Sequence, residues 1–138
     1  MYRVVVDPNV LISAAIAEGN PHRVVELAAA GLVTIVASPH LMDEVRTVLA
    51  RDKFLRWRTR EELTRFVTDI ELLAEPAPDP TDVAAVCRDP DDDYLVALLR
   101  QTDADGLCSG DQDLHAVEDI TVWMPAALVQ EVLGQPET

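Results

Sequence analysis

Apolar and polar residues along the chain follow two different periods, which predict strands separated by helices. Short runs of apolar and β-branched residues predict strands, because such side chains suit a buried pleated surface. These runs lie at residues 2–6, 32–37, 106–108 and 120–123. Apolar residues at helical spacing predict helices at residues 10–17, 22–30, 39–50, 92–102 and 125–133, with a helical turn at 114–117. Residues 70–74 fit either a short strand or the end of a helix.

Local signals mark several of the predicted helix boundaries. An Asn-Pro pair at 20–21 and a Ser-Pro pair at 38–39 each combine a capping side chain with a proline suited to the first helical turn. Gly31 stands where a glycine commonly ends a helix. Thr59 and Glu62 have the spacing of a capping box, so a further helix is expected to begin there.

This alternation of elements predicts an α/β fold with a mainly parallel central sheet and helices on both faces. Prolines at 76, 78 and 80 mark a connecting segment that is too short to be a domain linker. We therefore expect a single domain over residues 1–134 and a frayed tail at 135–138. In sheets of this kind ligands bind at the carboxyl ends of the strands.

The composition narrows the class of protein. Of all residues 49% are hydrophobic, as in globular domains, yet no apolar stretch reaches the roughly 18–20 residues of a membrane helix. The first apolar run is interrupted at Asp7, too early for a signal peptide, so the cytoplasm is the expected compartment. Cys87 and Cys108 lack metal-ligand spacing and are expected to be buried and unpaired.

The charge distribution bears on nucleic-acid binding in two ways. A net charge of −14 argues against a nucleic-acid partner, because phosphates attract cations, but carboxylates that hold divalent metals are much less negative. Seven of the eleven cationic residues lie within residues 46–65, either as a solvated helix surface or as a basic strip on which single-stranded bases stack. The candidates for RNA binding are Arg46, Arg51, Lys53, Arg56, Trp57 and Arg58.

Acidic residues occur at the predicted carboxyl ends of separate strands. Asp7 follows the first strand, Asp111 follows the strand at 106–108, the run at 89–93 opens a helix, and Glu44 lies early in the helix after the second strand. Each acid alone fits a helix cap or a solvated surface position. Together at one sheet edge they would repel one another unless a hard divalent cation such as Mg²⁺ or Mn²⁺ were bound. The sequence therefore predicts a metal site.

A metal site of this composition favours phosphodiester hydrolysis by an activated water. No glycine-rich phosphate loop is present, which argues against hydrolysis of nucleoside triphosphates. No serine or cysteine nucleophile lies in a recognisable motif, and the three histidines are scattered. His40 precedes Glu44 by one helical turn, although a surface position is the more ordinary interpretation.

Four segments, in order, resemble the motifs of PIN domains. They are residues 4–13 (VVVDPNVLIS), 38–45 (SPHLMDEV), 88–95 (RDPDDDYL) and 107–114 (LCSGDQDL). Their span covers nearly the whole chain. The resemblance implies an α/β/α sandwich and an Mg²⁺- or Mn²⁺-dependent endoribonuclease that leaves a 5′-phosphate. Many small bacterial members are toxins of toxin–antitoxin pairs (the VapC type), so an RNA substrate, an antitoxin protein and a homodimer are the partners that the resemblance implies.

The resemblance also assigns roles position by position. The implied catalytic acids are Asp7, Glu44, Asp92 and Asp111. The implied metal ligands are these four together with Asp93 and Asp113, and the implied supporting residues are Asn9 and Ser109. The register of the third acid is open: Asp92 is favoured and Asp93 is the alternative. Pro8 departs from the family pattern, since many relatives carry Thr or Ser there, and it removes a hydroxyl and a backbone N–H.

Two other classes of protein compete with a nuclease. One is a binding module of the same fold that acts through a partner, with exposed apolar helix surfaces at residues 24–30 or 45–49 docking an antitoxin helix. The other is a phosphatase or response-regulator-like domain, which would need a lysine after a late strand. Lys53 is the only lysine and lies elsewhere in the chain.

Overall fold

Five parallel strands form one sheet in the computed structural model, which describes residues 1–134. The predicted frayed tail at 135–138 lies outside the described residues. The sheet order is β3-β2-β1-β4-β5. The strands are β1 (Tyr2–Val6), β2 (Val33–Ala37), β3 (Glu75–Pro76), β4 (Gly106–Cys108) and β5 (Val122–Trp123). The α/β fold with a parallel sheet is confirmed.

Helices connect the strands and cover both faces of the sheet. They are α1 (Pro8–Ile16), α2 (Asn20–Ala29), α3 (Pro39–Leu49), α4 (Arg60–Leu73), α5 (Asp93–Thr102), α6 (Gln112–His115) and α7 (Pro125–Leu133), with short 3-10 helices at Asp52–Arg56 and Pro90–Asp92. The chain moves outward from β1 through β2 to β3 and then crosses to β4 and β5. Because parallel crossovers are right-handed, this change of direction places α1–α4 and α5–α6 on opposite faces.

The central strand β1 explains why the sheet is buried on both sides. Val4, Val5 and Val6 are each fully buried, as expected for a strand covered by helices on both faces. β1 pairs with β2 on one side and with β4 on the other, so its carboxyl end lies in the middle of the sheet edge. No helix among residues 1–134 is long and apolar enough to cross a membrane.

The predicted signals at three helix ends are confirmed, whereas α1 and α6 each begin two residues earlier than predicted, at Pro8 and Gln112, and the cap of α2 also differs. Ser38 caps α3, the capping box of Thr59 and Glu62 begins α4, and Gly31 adopts a left-handed backbone with φ of 79° after α2. The prediction that Asn20 caps α2 was wrong. Gly19 takes the extended backbone of the cap position and no side chain caps the helix, so Asn20 already lies in the first turn.

The structure also assigns residues 70–74, which the sequence left open, and gives the last strand a shorter range than the sequence predicted. Residues 70–73 are the final turn of α4, since the Ala74 N–H donates to the Ile70 carbonyl oxygen at 2.9 Å. The third strand comes directly afterwards and pairs with the end of β2. The strand predicted at 120–123 is reduced to Val122 and Trp123, the two residues that pair with β4.

The apolar helix surfaces predicted as exposed docking sites are instead part of the core. Val24 and Leu27 on α2 are buried, and so are Val45 and Leu49 on α3. The prediction was wrong because the two helices pack on neighbouring elements through these same residues: α2 contacts α1, α7 and β2, and α3 contacts α1 and α4. These surfaces are not available to a partner helix in the folded chain.

Candidate active site

Successive strands are added on one side of β1 up to β3 and then on its other side from β4, and such a switch point is where an open parallel sheet forms a binding crevice. Asp7 follows β1 and Ser109 follows β4, so both lie at the carboxyl ends of adjacent central strands. The Asp7 N–H donates to the Cys108 carbonyl oxygen at 2.9 Å, which continues the pairing of the two strands. The positions of both residues are therefore set by the sheet itself.

Three hydrogen bonds hold the Asp7 carboxylate and link it to Asp111. Oδ1 of Asp7 accepts from the Asn9 N–H at 3.0 Å, which caps α1, and Oδ2 accepts from the Ser109 hydroxyl at 2.7 Å. The Asp111 N–H donates in turn to the Ser109 hydroxyl oxygen at 3.0 Å. Asp7 is only 3% exposed, and burial raises the pKa of its carboxyl despite the opposing hydrogen bonds. Asp111 adds to this increase through charge repulsion.

Asp92 brings a third carboxylate to the same place from another segment. It lies at the end of the 3-10 helix and at the N-terminus of α5, which packs on β1 and β4. Burial raises the pKa of Asp92 to about 7, and the charges of Asp7 and Asp111 contribute to the increase. Asp7 follows β1, Asp111 follows β4 and Asp92 precedes α5, and the charges of the first two are near enough to Asp92 to act on its pKa at the switch point of the sheet.

Glu44 approaches the group from α3. Burial raises the pKa of Glu44, His40 opposes the increase, and the Asp7 charge adds to it. The His40 ring packs edge-on against Tyr94, with the ring centroids 4.5 Å apart. The Tyr94 hydroxyl is buried close enough to Glu44 to affect its pKa, yet no hydrogen bond of ordinary geometry joins it to any described residue.

Asp93 has a different environment from Asp92. Its Oδ1 accepts from the Cys87 N–H at 2.7 Å and from the Val86 N–H at 3.1 Å, and these bonds hold the preceding loop. The bond from Cys87 is the main reason that the pKa of Asp93 is lowered. The structure therefore brings Asp92 to Asp7 and Asp111, while the carboxylate of Asp93 is engaged by backbone.

The remaining predicted site residues contribute mainly through the backbone. The Asp113 N–H donates to Oδ1 of Asp111 at 2.9 Å, so Asp111 caps the short helix α6. Asn9 contributes its N–H to Asp7, and its side chain is exposed. His115 lies against the turn, with Nε2 2.8 Å from the Ser109 carbonyl oxygen. These contacts fix the turn after β4.

The donor set of the site suits a hard divalent cation, because it consists of carboxylate oxygens that repel one another. The charge of Asp111 raises the pKa of Asp7, and the charges of Asp7 and Asp111 both raise the pKa of Asp92. Within residues 1–134, however, no three acidic, histidine or cysteine side chains already lie at the spacing of a metal centre. The carboxylates would have to draw together around an ion, which their mutual repulsion opposes until the ion is present.

The basic segment at residues 46–65 begins in α3 two residues after Glu44 and continues through the α3–α4 connection, and its cations are not equivalent. Arg46 forms ion pairs with Asp43 and Glu71, so its charge is neutralised within the α3–α4 pair. Arg60 pairs with Asp52 at 2.9 Å. Trp57 is 47% exposed, and Arg51, Lys53 and Arg56 beside it are exposed as well.

The comparison with known families agrees with this geometry. A family profile described as PIN domain matches residues 3–113. The chain belongs to the PIN domain family. PIN domains are generally a nuclease fold, and their members typically depend on divalent metals. Comparisons with curated proteins and with solved structures gave no significant match.

Sequence reasoning did not find the role of Tyr94 in this PIN domain. Its position beside the acidic run was visible, but the burial of its hydroxyl near Glu44 depends on the approach of Tyr94 at the start of α5 to His40 and Glu44 on α3. The contact between His40 and Tyr94 likewise joins two segments that are far apart in sequence. Neither feature has a local sequence signal.

Proposed function

We propose that this PIN domain is a metal-dependent endoribonuclease that hydrolyses RNA phosphodiester bonds. The observation that carries the proposal is the meeting of Asp7, Asp92 and Asp111 at the switch point of the sheet. Three segments of the chain each contribute one acid, and burial together with the charge of Asp111 raises the pKa of both Asp7 and Asp92. Such a cluster is unfavourable for stability and is typical of a functional site.

The ion that would fit these oxygens is Mg²⁺ or Mn²⁺, and Asp7, Asp92 and Asp111 would hold it with Glu44 beside them. When bound, such an ion polarises a phosphoryl oxygen and lowers the pKa of water. Asp113 is proposed as a further ligand, and Asp93 supports the loop that precedes Asp92.

The chain's own residues prepare the site for the ion and the substrate. Ser109 and the Asn9 N–H hold the Asp7 carboxylate in one orientation before anything binds. At neutral pH the raised pKa of Asp92 leaves part of the population protonated, and this reduces repulsion in the metal-free protein. Binding of a cation would release that proton. Rigid support of the acids by packed neighbouring residues is what precise positioning of a substrate requires.

The biological setting that we propose is that of a toxin in a toxin–antitoxin pair. The support for it is the resemblance of the four motifs to small bacterial PIN proteins of the VapC type. An antitoxin protein and a second copy of the chain are the proposed partners. Induced expression should stop bacterial growth, and expression of Asp7→Asn should not. Normal growth with active enzyme would contradict the toxin role but not the ribonuclease.

The proposed activity is tested with single-stranded RNA and added Mn²⁺. Asp7→Asn and Asp111→Asn should each abolish cleavage, while circular dichroism shows an intact fold. Asp69→Asn on the exposed surface of α4 is the matched control and should cleave like the wild type. Full activity in both site variants would overturn the proposal.

A second candidate is a PIN-fold binding module or RNA-processing factor with little or no nuclease activity. The observation in its favour is that no metal centre is preformed among residues 1–134. Calorimetric titration with Mn²⁺, paired with the cleavage assay, separates the two functions. Binding of Mn²⁺ with cleavage favours the nuclease, and absence of both favours the binding module.

A further inference from the structure

The connection between α3 and α4 presents an exposed aromatic ring on a firmly anchored turn. Phe54 in the 3-10 helix Asp52–Arg56 is buried in the core at 5% exposure. Leu55 and Trp57 beside it are 43% and 47% exposed. The turn is therefore held to the core by Phe54 and presents Leu55 and Trp57 to solvent.

Cationic side chains lie over the aromatic rings of this turn. The Arg56 guanidinium lies 5.3 Å from the Trp57 ring centroid, and Lys53 Nζ lies 5.1 Å from that of Phe54. The two rings are 6.3 Å apart and tilted. One face or edge of Trp57 is thus already paired with a cation, and nearly half of the residue remains open to solvent.

The charge of the turn is opposite to that of the chain as a whole. Residues 51–60 contain five cations and one carboxylate, whereas the net charge of the protein is −14. The carboxylate, Asp52, is paired with Arg60. In the part of the chain that the structure describes, the other cations of this turn form no ion pair with a carboxylate; they are Arg51, Lys53, Arg56 and Arg58. A polyanion is therefore attracted here and repelled by most of the remaining surface.

We infer that residues 51–58, the α3–α4 turn, bind single-stranded RNA by stacking a base on Trp57 and by pairing phosphates with Arg51, Lys53 and Arg56. The inference rests on the proposed function for the identity of the nucleic acid. An exposed ring among unpaired cations is the combination by which proteins bind single strands without reading their sequence. An acidic protein surface would use the cations but has no planar bases for the ring.

The turn follows directly on α3, the helix that carries Glu44. Glu44 and the turn are connected by the last residues of α3, and Ala50 lies about 9 Å further along the helix axis at about 1.5 Å per residue. The turn would hold RNA near the acids without taking part in the chemistry.

The test measures binding separately from cleavage. Fluorescence anisotropy of a labelled single-stranded oligouridylate is recorded in EDTA, where metal-dependent cleavage cannot occur. Trp57→Ala should weaken binding on the order of tenfold, and Trp57→Phe should retain most of it. The double variant Lys53→Ala/Arg56→Ala should reduce the slope of log affinity against log salt by about 1.4, at about 0.7 for each phosphate that the protein no longer neutralises. Arg23→Ala and Arg100→Ala, which remove exposed cations elsewhere, should bind like the wild type.

Three results would overturn the inference. One is unchanged affinity in both Trp57→Ala and the double variant. Another is a loss of affinity in the Arg23→Ala and Arg100→Ala controls that is as large as the loss in the variants of the turn. A third is that polyglutamate binds as tightly as RNA, through the same cations, and that Trp57→Ala does not change its affinity. That result would assign the turn to binding an acidic protein. Binding that depends on Trp57 in a protein that never cleaves RNA with Mn²⁺ would support the inference and overturn the proposed nuclease.

Discussion

The Ser109 hydroxyl donates a 2.7 Å hydrogen bond to Oδ2 of Asp7, a residue 102 positions away in the sequence. Both residues are almost completely buried. The same hydroxyl oxygen accepts from the Asp111 N–H. One small side chain therefore holds two of the acids of the site in a fixed relation, across the ends of β1 and β4.

Ser109→Ala tests how far this bond stabilises the charged form of Asp7. Loss of the donor should raise the pKa of Asp7 further, because the bond from Ser109 lowers it. The free energy of unfolding should fall by about 1–3 kcal/mol, since a buried acceptor loses its partner. Chemical denaturation measures the stability, and NMR titration of the Asp7 carboxyl measures the pKa.

Ser38→Ala is the matched control for that variant. Ser38 is also a buried serine, and it caps α3 through a bond from the Leu41 N–H. Its loss should cost about 1 kcal/mol of stability and leave the pKa of Asp7 unchanged. An Asp7 pKa that is the same in Ser109→Ala and in the wild type would contradict the prediction.

The pKa of Asp92 predicts a pH dependence of stability in the metal-free protein. In the folded state the pKa of the Asp92 carboxyl is raised to about 7, whereas its ordinary pKa is 3.8. The folded state therefore binds more protons than the unfolded state between these values, and the contribution of Asp92 to stability is lost as the pH rises through about 7. Asp92→Asn should gain thermal stability over the wild type as the pH is raised from about 5 to about 8. A difference in Tm that does not change with pH would contradict this.

Asp92 and Asp93 should respond oppositely to the same substitution. Asp93→Asn weakens the acceptor that binds the Val86 and Cys87 N–H groups, so it should lower the stability of the metal-free protein. Asp92→Asn removes a repelled charge and should not lower it. Calorimetric titration with Mn²⁺ should show the larger loss of affinity for Asp92→Asn. The reverse order in affinity would assign the metal site to Asp93.

Tyr94→Phe removes a buried hydroxyl that has no hydrogen-bond partner among residues 1–134. The metal-free protein should therefore keep its stability or gain a little, since an unsatisfied buried polar group is unfavourable. Tyr2→Phe is the comparison, because the Tyr2 hydroxyl donates to Glu131 at 3.0 Å and its loss should be slightly destabilising. Thermal unfolding measures both, and a marked loss of Tm in Tyr94→Phe would show that the hydroxyl is bound.

Gly106→Ala should destabilise the edge of the sheet. A Cβ at this position would lie 2.5 Å from the Trp123 ring and 2.9 Å from the Thr121 carbonyl oxygen, so β5 would have to shift at a cost of about 1–3 kcal/mol. Gly110→Ala is the matched control, since nothing lies within 4 Å of the added atom. Equal denaturation midpoints for the two variants would contradict the prediction.

The sequence predicted most of the elements because their signals are local. The apolar run of β1, the cap at Ser38 and the capping box at Thr59 each depend on residues close together in the chain. The prediction that α2 is capped by Asn20 was wrong because Gly19, with its permissive backbone, takes that position. The third strand is two residues long and is defined only by its pairing with β2, so periodicity alone could not place it.

The sequence by itself determined the α/β alternation and that acids follow the first and fourth strands. Only the tertiary structure decided that backbone N–H groups engage the Asp93 carboxylate, that Arg46 is neutralised by Glu71, and that Tyr94 is buried beside Glu44. The physical reason is the range of the interactions. Periodicity and caps act over one or two turns of the chain, whereas the direction of a side chain at a strand end depends on hydrogen bonds and charges that reach it from distant segments.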